Sequence, residues 1–79
     1  MKKRKEMALI QVLEAVDRAL SQYSPDNVDV VEENGMFDIV YHSRHNSFGI
    51  ESAVASWDDV KDIRELEKEL DKRDVGYVW

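Results

Sequence analysis

The sequence has no cysteine, a single proline and three glycines among its 79 residues. The lack of cysteine excludes disulfide bonds and thiolate metal sites. The low proline and glycine content, with 43% apolar residues, argues against an intrinsically disordered chain. Apolar runs stay far below the roughly 20 residues that a membrane-spanning helix needs. We therefore expect one compact domain over residues 1–79, in a cytoplasmic setting and without a signal peptide.

Positive charge is also scarce, since 11 basic residues stand against 17 acidic ones and the formal net charge is −6. Residues 1–23 carry five basic and three acidic groups, 24–56 carry one and six, and 57–79 carry five and eight. A nucleic-acid-binding protein normally needs a positive field to replace the counterions on phosphate. The field here is the opposite over most of the chain. It provides solubility or recognises a basic partner.

The segment 28–41 specifies its own pairing. Asn34-Gly35 is a preferred sequence for a two-residue type I′ turn, in which both central residues need positive φ. Folding the chain there predicts a β-hairpin with strands at about 28–33 and 36–42. Apolar residues then share one face of the ladder. They are Val28, Val30, Phe37, Ile39 and Tyr41.

An amphipathic helix is predicted over residues 6–23, because apolar side chains recur there at spacings of three and four. Ser24-Pro25 ends it, since the residue before proline avoids α geometry. Residues 1–5 are basic and lie at the positive end of the helix dipole, so we expect them to fray. The apolar stripe comprises Leu9, Leu13, Val16, Leu20 and Tyr23, widened by Val12, Ala15 and Ala19.

A third strand is predicted at about 48–54, after a polar loop, with Gly49 as a weak point or a bulge. Its inner face should carry Phe48, Ile50 and Val54 together with Ser52.

A second helix is predicted to begin after Ser56, a capping residue, with Asp58 and Asp59 in its first turn. Gly76 fits the position just past its end. The remaining tail, 77–79, packs back on the domain or adds an edge strand. The apolar stripe of this helix comprises Trp57, Val60, Ile63, Leu66 and Leu70.

The element order α-β-β-β-α predicts an α+β fold, a two-layer sandwich with a three-stranded antiparallel sheet and two helices on one face. The other face of the sheet is then uncovered. By alternation it carries acidic groups with valines between them: Asp29, Val31, Glu33, Asp38, Val40 and His42.

Residues that could perform catalysis do not form a recognisable constellation. His42 and His45 supply two of the three or four convergent ligands that a metal site needs. Carboxylates on a flat sheet lack the cage of a calcium or magnesium site. The chain has no nucleophile elbow, no glycine-rich phosphate loop and little volume for a substrate pocket. We therefore expect a protein that is not an enzyme and has no catalytic residues, metal or cofactor.

The one basic cluster, Lys2 to Lys5, supports an alternative role as a nucleic-acid-associated protein that touches phosphate with this arm. The order α-β-β-β-α also resembles that of the double-stranded-RNA-binding domain. That family holds phosphates with lysines at the start of its second helix. Here the corresponding residues are Trp57-Asp58-Asp59. The charge is reversed, so the resemblance argues against RNA binding, and we expect no direct nucleic-acid contact.

The hypothesis that the charge pattern favours is a small acidic protein that binds a basic protein partner. Its surface would comprise a patch on the sheet, a second acidic patch at the start of the second helix, and a terminal tryptophan able to anchor a partner. These residues are Asp29, Glu32, Glu33, Asp38 and Glu51, then Asp58, Asp59 and Asp62, and Trp79.

Inhibitors made by phages and mobile elements, including some anti-CRISPR and nuclease-inhibiting proteins, are similar in being short, acidic and free of cysteine. The likeness is one of class and includes no shared motif. It suggests carboxylates that stand in for phosphates and occlude a basic nucleic-acid-binding groove. A homodimeric structural or regulatory module, paired through the sheet or the 77–79 tail, is a further alternative.

Overall fold

A computed structural model describes residues 4–60 and 62–79, which form two helices and a four-stranded mixed sheet. The predicted α+β class is confirmed, whereas the predicted three-stranded antiparallel sheet lacks one strand. The helices are α1, Arg4–Leu20, and α2, Ile63–Lys72. The strands are β1, Val28–Glu33; β2, Met36–His42; β3, Ser47–Ser56; and β4, Gly76–Val78. Short 3-10 turns, Pro25–Asn27 and Trp57–Asp59, precede β1 and follow β3.

The β1–β2 hairpin has the predicted register, with Val30 opposite Ile39 and Asp29 opposite Val40. Asn34 and Gly35 have φ of 54° and 81°. A two-residue hairpin loop of type I′ requires positive φ at both positions, and Asn-Gly supplies it at little steric cost. Turn chemistry and the alternation of apolar side chains therefore agree on the pairing of these two strands.

The tail forms β4, which pairs with β1 in parallel and places Tyr77 opposite Val30. The strand order is β3-β2-β1-β4. Of the two predicted fates of the tail, the structure shows the edge strand. The pairing joins residues nearly 50 positions apart, so no local turn in the sequence could predict it.

The β2–β3 ladder is irregular, with register shifts between Phe37 and Ile39 and between Ile39 and Val40. Ala53 has φ of 53°, in the left-handed region. Because the bulge interrupts the alternation of side chains, the predicted inner face of β3 is only partly correct. Ile50 and Val54 pack against the core as predicted. Phe48 is half exposed and Ser52 is exposed, whereas Ala55, just beyond the predicted strand, is buried.

The predicted second helix is divided in two. Ser56 caps a 3-10 turn by accepting from the Asp58 amide, and α2 begins only after Asp62, whose carboxylate accepts from the Glu65 amide at 3.1 Å. The signal for the later start is present in the sequence, because an acid followed three residues on by glutamate is typical of a helix N-terminus. The 3-10 turn ends at Val60, which is buried and extended.

The end of α2 also differs from the prediction. Asp74, not Gly76, takes the left-handed conformation past the helix, with φ of 57°. The Val75 amide then donates to the Leu70 carbonyl, which satisfies one of the free carbonyl groups at the helix end. Gly76 instead begins β4, where an added Cβ would lie 2.5 Å from Asp29 Oδ1.

Both helices pack on the same side of the sheet and share one hydrophobic core. Helix α1 contacts β1, β2 and β3, and α2 contacts β4. The buried residues of α1 are mostly small, so its buried stripe is centred on Val12 and Val16 with Leu9, Leu13 and Leu20 at the margins. This centre is rotated from the predicted one, because small residues let the helix approach the sheet closely. The largest fully buried side chains are Phe37, Ile39, Leu66 and Leu70.

Candidate protein-binding surface

The face of the sheet turned away from the helices is a mixed acidic and apolar surface, here called the outer face. Successive side chains of a strand point to opposite faces. Since Val28, Val30, Phe37 and Ile39 are buried in the core, their neighbours in β1 and β2 must point the other way. The outer face comprises Asp29, Val31, Glu33, Met36, Asp38, Val40 and His42, with Val78 from β4.

Valines and carboxylates alternate across neighbouring strands of the outer face. Val31 lies opposite Asp38, and Asp29 lies opposite Val40. Val78 lies beside Val31 in β4 and is 57% exposed. Directly opposed side chains in a sheet are about 5 Å apart. Val31 and Val40 therefore each have a carboxylate as an immediate neighbour, a pattern suited to a surface that contacts both alkyl groups and cations.

A line of polar contacts crosses three strands at one end of the outer face. His42 Nε2 lies 2.8 Å from Asp29 Oδ2, and His42 Nδ1 lies 2.7 Å from Ser47 Oγ. Strand alternation predicts His42 on this face, but no motif in the sequence links it to Ser47. The contacts link β1, β2 and β3, and they hold the Asp29 carboxylate over Gly76 of β4.

The Asp38 carboxylate supports the β3 bulge. Its Oδ1 accepts from the Ala53 amide at 2.6 Å, and that residue is the one with positive φ. The contact satisfies a backbone donor that the irregular ladder would otherwise leave without a strand partner. Asp38 therefore belongs to the outer face and to the framework of the sheet.

Two of the predicted partner-binding residues lie on the helix side of the sheet. Glu51 pairs with Arg18 of α1, with Arg18 Nη2 2.6 Å from Glu51 Oε1. Glu32 lies opposite Phe37, and its carboxylate accepts from the Gly35 amide at 3.0 Å. The structure does not place these two carboxylates with the others of the sheet patch.

The second acidic patch lies near the hairpin turn, where the Trp57 amide donates to the Gly35 carbonyl at 2.8 Å. Asp58 is exposed and Asp59 partly buried in the 3-10 turn. Asp62 is the N-cap of α2. Because Glu33 ends β1 just before the same turn, acidic side chains from β1 and from the 3-10 turn collect at this end of the molecule.

Trp79 belongs to an aromatic cluster on the helix side. It stacks on Tyr77 with ring centroids 4.8 Å apart, and it meets Phe37 and Trp57 edge-on at 5.7 Å. Its Nε1 donates to Glu67 Oε2 at 3.1 Å. The side chain remains 38% exposed, so it fixes the end of β4 and still presents part of its ring to solvent.

Two carboxylates of α2 lie near the phenol of Tyr77. Partial removal from water raises the pKa of Tyr77, and the carboxylates of Asp71 and Glu67 raise it further. These two carboxylates line the same surface of α2 as Arg64 and Lys68.

Within residues 4–60 and 62–79, no three histidine, cysteine, aspartate or glutamate residues lie together as metal ligands would. Neither helix in this range has the length and apolar content to cross a bilayer. Lys2 and Lys3 of the basic arm lie outside the described residues, as do the side chains of Arg4 and Lys5. In comparisons with protein families, curated proteins and solved structures, nothing matches this chain.

Proposed function

We propose that this protein is a non-enzymatic interaction protein whose outer face binds a basic protein partner. The observation that carries the proposal is the outer face itself, where three carboxylates and three valines share a surface that neither α1 nor α2 covers. An exposed apolar patch edged by charged groups is typical of an interaction site. A partner that places a cation beside each of these valines would match the surface.

A second copy of this chain fits the outer face poorly. Face-to-face pairing would bring the carboxylates of Asp29, Glu33 and Asp38 close to those of the other copy. Like charges brought together in a contact that excludes water cost several kcal/mol. The net charge of −6 adds a long-range repulsion between copies. A basic partner avoids both costs, and attraction would also speed its encounter with this protein.

The side chains of the outer face also favour binding over catalysis. Asp29, His42 and Ser47 include the residue types of a hydrolase triad, but they lie on an open sheet. Catalysis by such groups depends on preorganised oxyanion donors in a site from which water is excluded. We therefore interpret the three as a cross-strand link that orients Asp29.

The partner class that best matches this surface is a nucleic-acid-binding protein, because its basic groove is built to receive rows of phosphates. Carboxylates of the outer face and of the acidic patch at Asp58 would take the place of those phosphates. The protein would then act as an inhibitor of the kind that phages and mobile elements produce. Occlusion of the groove requires no catalysis and no cofactor.

Affinity capture from host extract tests the proposal with two variants of equal charge change. Glu33→Lys/Asp58→Lys alters exposed groups at the acidic end of the sheet, and Glu14→Lys/Asp26→Lys alters exposed groups of α1 and of the first 3-10 turn. The wild type and the second variant should retain the same basic protein, which added double-stranded DNA should displace. The first variant should lose it. Equal capture by both variants would contradict a role for the outer face.

A further inference from the structure

The two edges of the sheet differ in how well they could accept another strand. β3 forms one edge, and its pairing with β2 is broken by two register shifts and by the left-handed Ala53. Bulges of this kind bend an edge strand away from the geometry that a new strand needs. β4 forms the other edge and pairs with β1 in unbroken register. Within residues 4–60 and 62–79, the far side of β4 pairs with no strand.

Carboxylates flank β4 on both faces of the sheet. On the helix side, Glu67 accepts from Trp79 Nε1, and Asp71 and Glu67 act on the phenol of Tyr77. On the outer face, Asp29 lies so close to Gly76 that an added Cβ would be 2.5 Å from its Oδ1. A chain that runs beside β4 therefore passes near carboxylates of α2 on the helix side and near Asp29 at the Gly76 end of the outer face.

The basic side chains at the C-terminal end of α2 form ion pairs. Lys72 Nζ lies 3.0 Å from Glu69 Oε2, and Arg73 Nη1 lies 3.0 Å from Glu69 Oε1. Arg73 Nε also lies 2.8 Å from Asp17 Oδ1 in α1. These contacts pair the two basic side chains at the C-terminal end of α2 with carboxylates.

The outer side of the same edge is apolar. Val78 is 57% exposed and lies beside Val31 of β1. In a strand added to β4, every second side chain would lie beside Val78, and the side chains between would point to the helix side. The edge thus offers apolar contact on one face and carboxylates on the other.

We propose that β4 is the docking edge for an extended segment of the partner in which apolar and basic residues alternate. The inference rests on the proposed function and specifies how the partner is bound. The segment adds a fifth strand through backbone hydrogen bonds to β4. Its apolar side chains lie beside Val78, and its basic side chains lie near Glu67 and Asp71.

The test uses an acetylated ten-residue peptide of alternating lysine and valine, titrated into the full-length, ¹⁵N-labelled protein. The largest amide shift changes should fall at residues 76–78 and in β1, and exchange of the β4 amides should slow at least fivefold. Two control peptides carry N-methyl groups on all lysines or on all valines, which removes the donors along one edge or the other. One of the two should bind at least tenfold more weakly than the parent peptide.

Two protein variants separate the edge from the rest of the outer face. Val78→Lys places a cation on β4, whereas Val40→Lys places the same cation two strands away. The first should weaken peptide binding at least tenfold and the second no more than about threefold. The spectrum of each free variant reports whether β4 is still paired, and the methylated peptides test the same contact in the unaltered protein.

Two results would overturn the docking edge. In one, both methylated peptides bind as the parent does, and Val40→Lys weakens binding as much as Val78→Lys. The outer face would then bind the peptide without strand addition, and the proposed function would stand. In the other, the peptide produces no shift changes near β4. Capture by the wild type but not by Glu33→Lys/Asp58→Lys would then retain the proposed function without this docking mode.

Discussion

The two faces of the sheet come from the same strands and have opposite characters. On the covered face, Val30 and Ile39 lie opposite each other and are fully buried beneath the helices. On the outer face, their chain neighbours Val31 and Val40 lie among carboxylates and are only partly buried. Adjacent residues of one strand therefore lie in entirely different environments. We expect substitutions on the covered face to change stability, and those on the outer face to change binding.

The largest difference in the free energy of unfolding is expected between the variants Phe37→Ala and Val40→Ala. Phe37 is fully buried and meets Trp57 and Trp79 at ring-centroid distances of 5.3 and 5.7 Å. Its truncation should lower the free energy of unfolding by about 3–5 kcal/mol. Val40→Ala should lower it by about 1 kcal/mol or less. Urea unfolding followed by tryptophan fluorescence measures both, and equal losses would contradict the division between the faces.

The β3 bulge predicts opposite effects for one substitution at two positions. Ala53 has positive φ, which is unfavourable for a residue with a Cβ, so Ala53→Gly should stabilise the protein by about 1 kcal/mol. Ala55 is buried opposite Phe37, so Ala55→Gly should destabilise it by about 1 kcal/mol or more. Thermal unfolding of the two variants reports both signs. A loss of stability in Ala53→Gly would show that the bulge does not favour glycine.

The contact between β4 and the outer face can be tested with Gly76→Ala. The new Cβ would displace the Asp29 carboxylate and disturb its 2.8 Å contact with His42. We expect a loss of about 0.5–1 kcal/mol and faster hydrogen exchange in β4. Gly49→Ala is the matched control, because its nearest neighbour, Ser52 Oγ, is 3.5 Å away. Equal exchange in both variants would contradict the close packing at Gly76.

The smallest expected effect is a change in how Tm depends on pH when Glu69, on the helix side, is replaced. Hydrogen bonds from Lys72 and Arg73 lower the pKa of Glu69 below its ordinary value of 4.5. A lowered folded-state pKa contributes stability above the unfolded-state pKa, and that contribution is lost as pH falls through the folded value. Glu69→Gln should therefore lower Tm slightly at pH 7, and the difference from wild type should narrow by pH 3. A constant difference would contradict the assignment.

The parts of the fold that the sequence predicts well are those decided by local chemistry. Asn34-Gly35 and the alternation around it determine the register of β1 with β2, and with it most of the outer face. The pairing of β4 is not predictable from the sequence, because three residues paired in parallel carry no turn signal. The burial of Ala55 is not predictable either, because an alanine at positive φ is not visible as a bulge in the sequence.

The residues of the candidate site also fall into those that the sequence predicts and those that it does not. Alternation places Asp29, Glu33 and Asp38 on the outer face, since the β1–β2 register was already specified. The positions of Glu51 and Ser47 depend on where the β3 register shifts, so Arg18–Glu51 and His42–Ser47 could not be predicted. The contact of Trp79 with Glu67 depends on the path of α2, which begins later than the cap at Ser56 predicts.

The most direct test of the account uses the lack of native cysteine in the chain. Val40→Cys and Ile39→Cys introduce neighbouring thiols on opposite faces, and their rates of reaction with a disulfide reagent measure how well each face is covered. We predict that the thiol at position 40 reacts within about tenfold of the rate for an unfolded chain. The thiol at position 39 should react more than about a thousandfold more slowly, because only unfolding exposes it. Equal, strong protection of both thiols would show that the outer face is covered and would contradict the account.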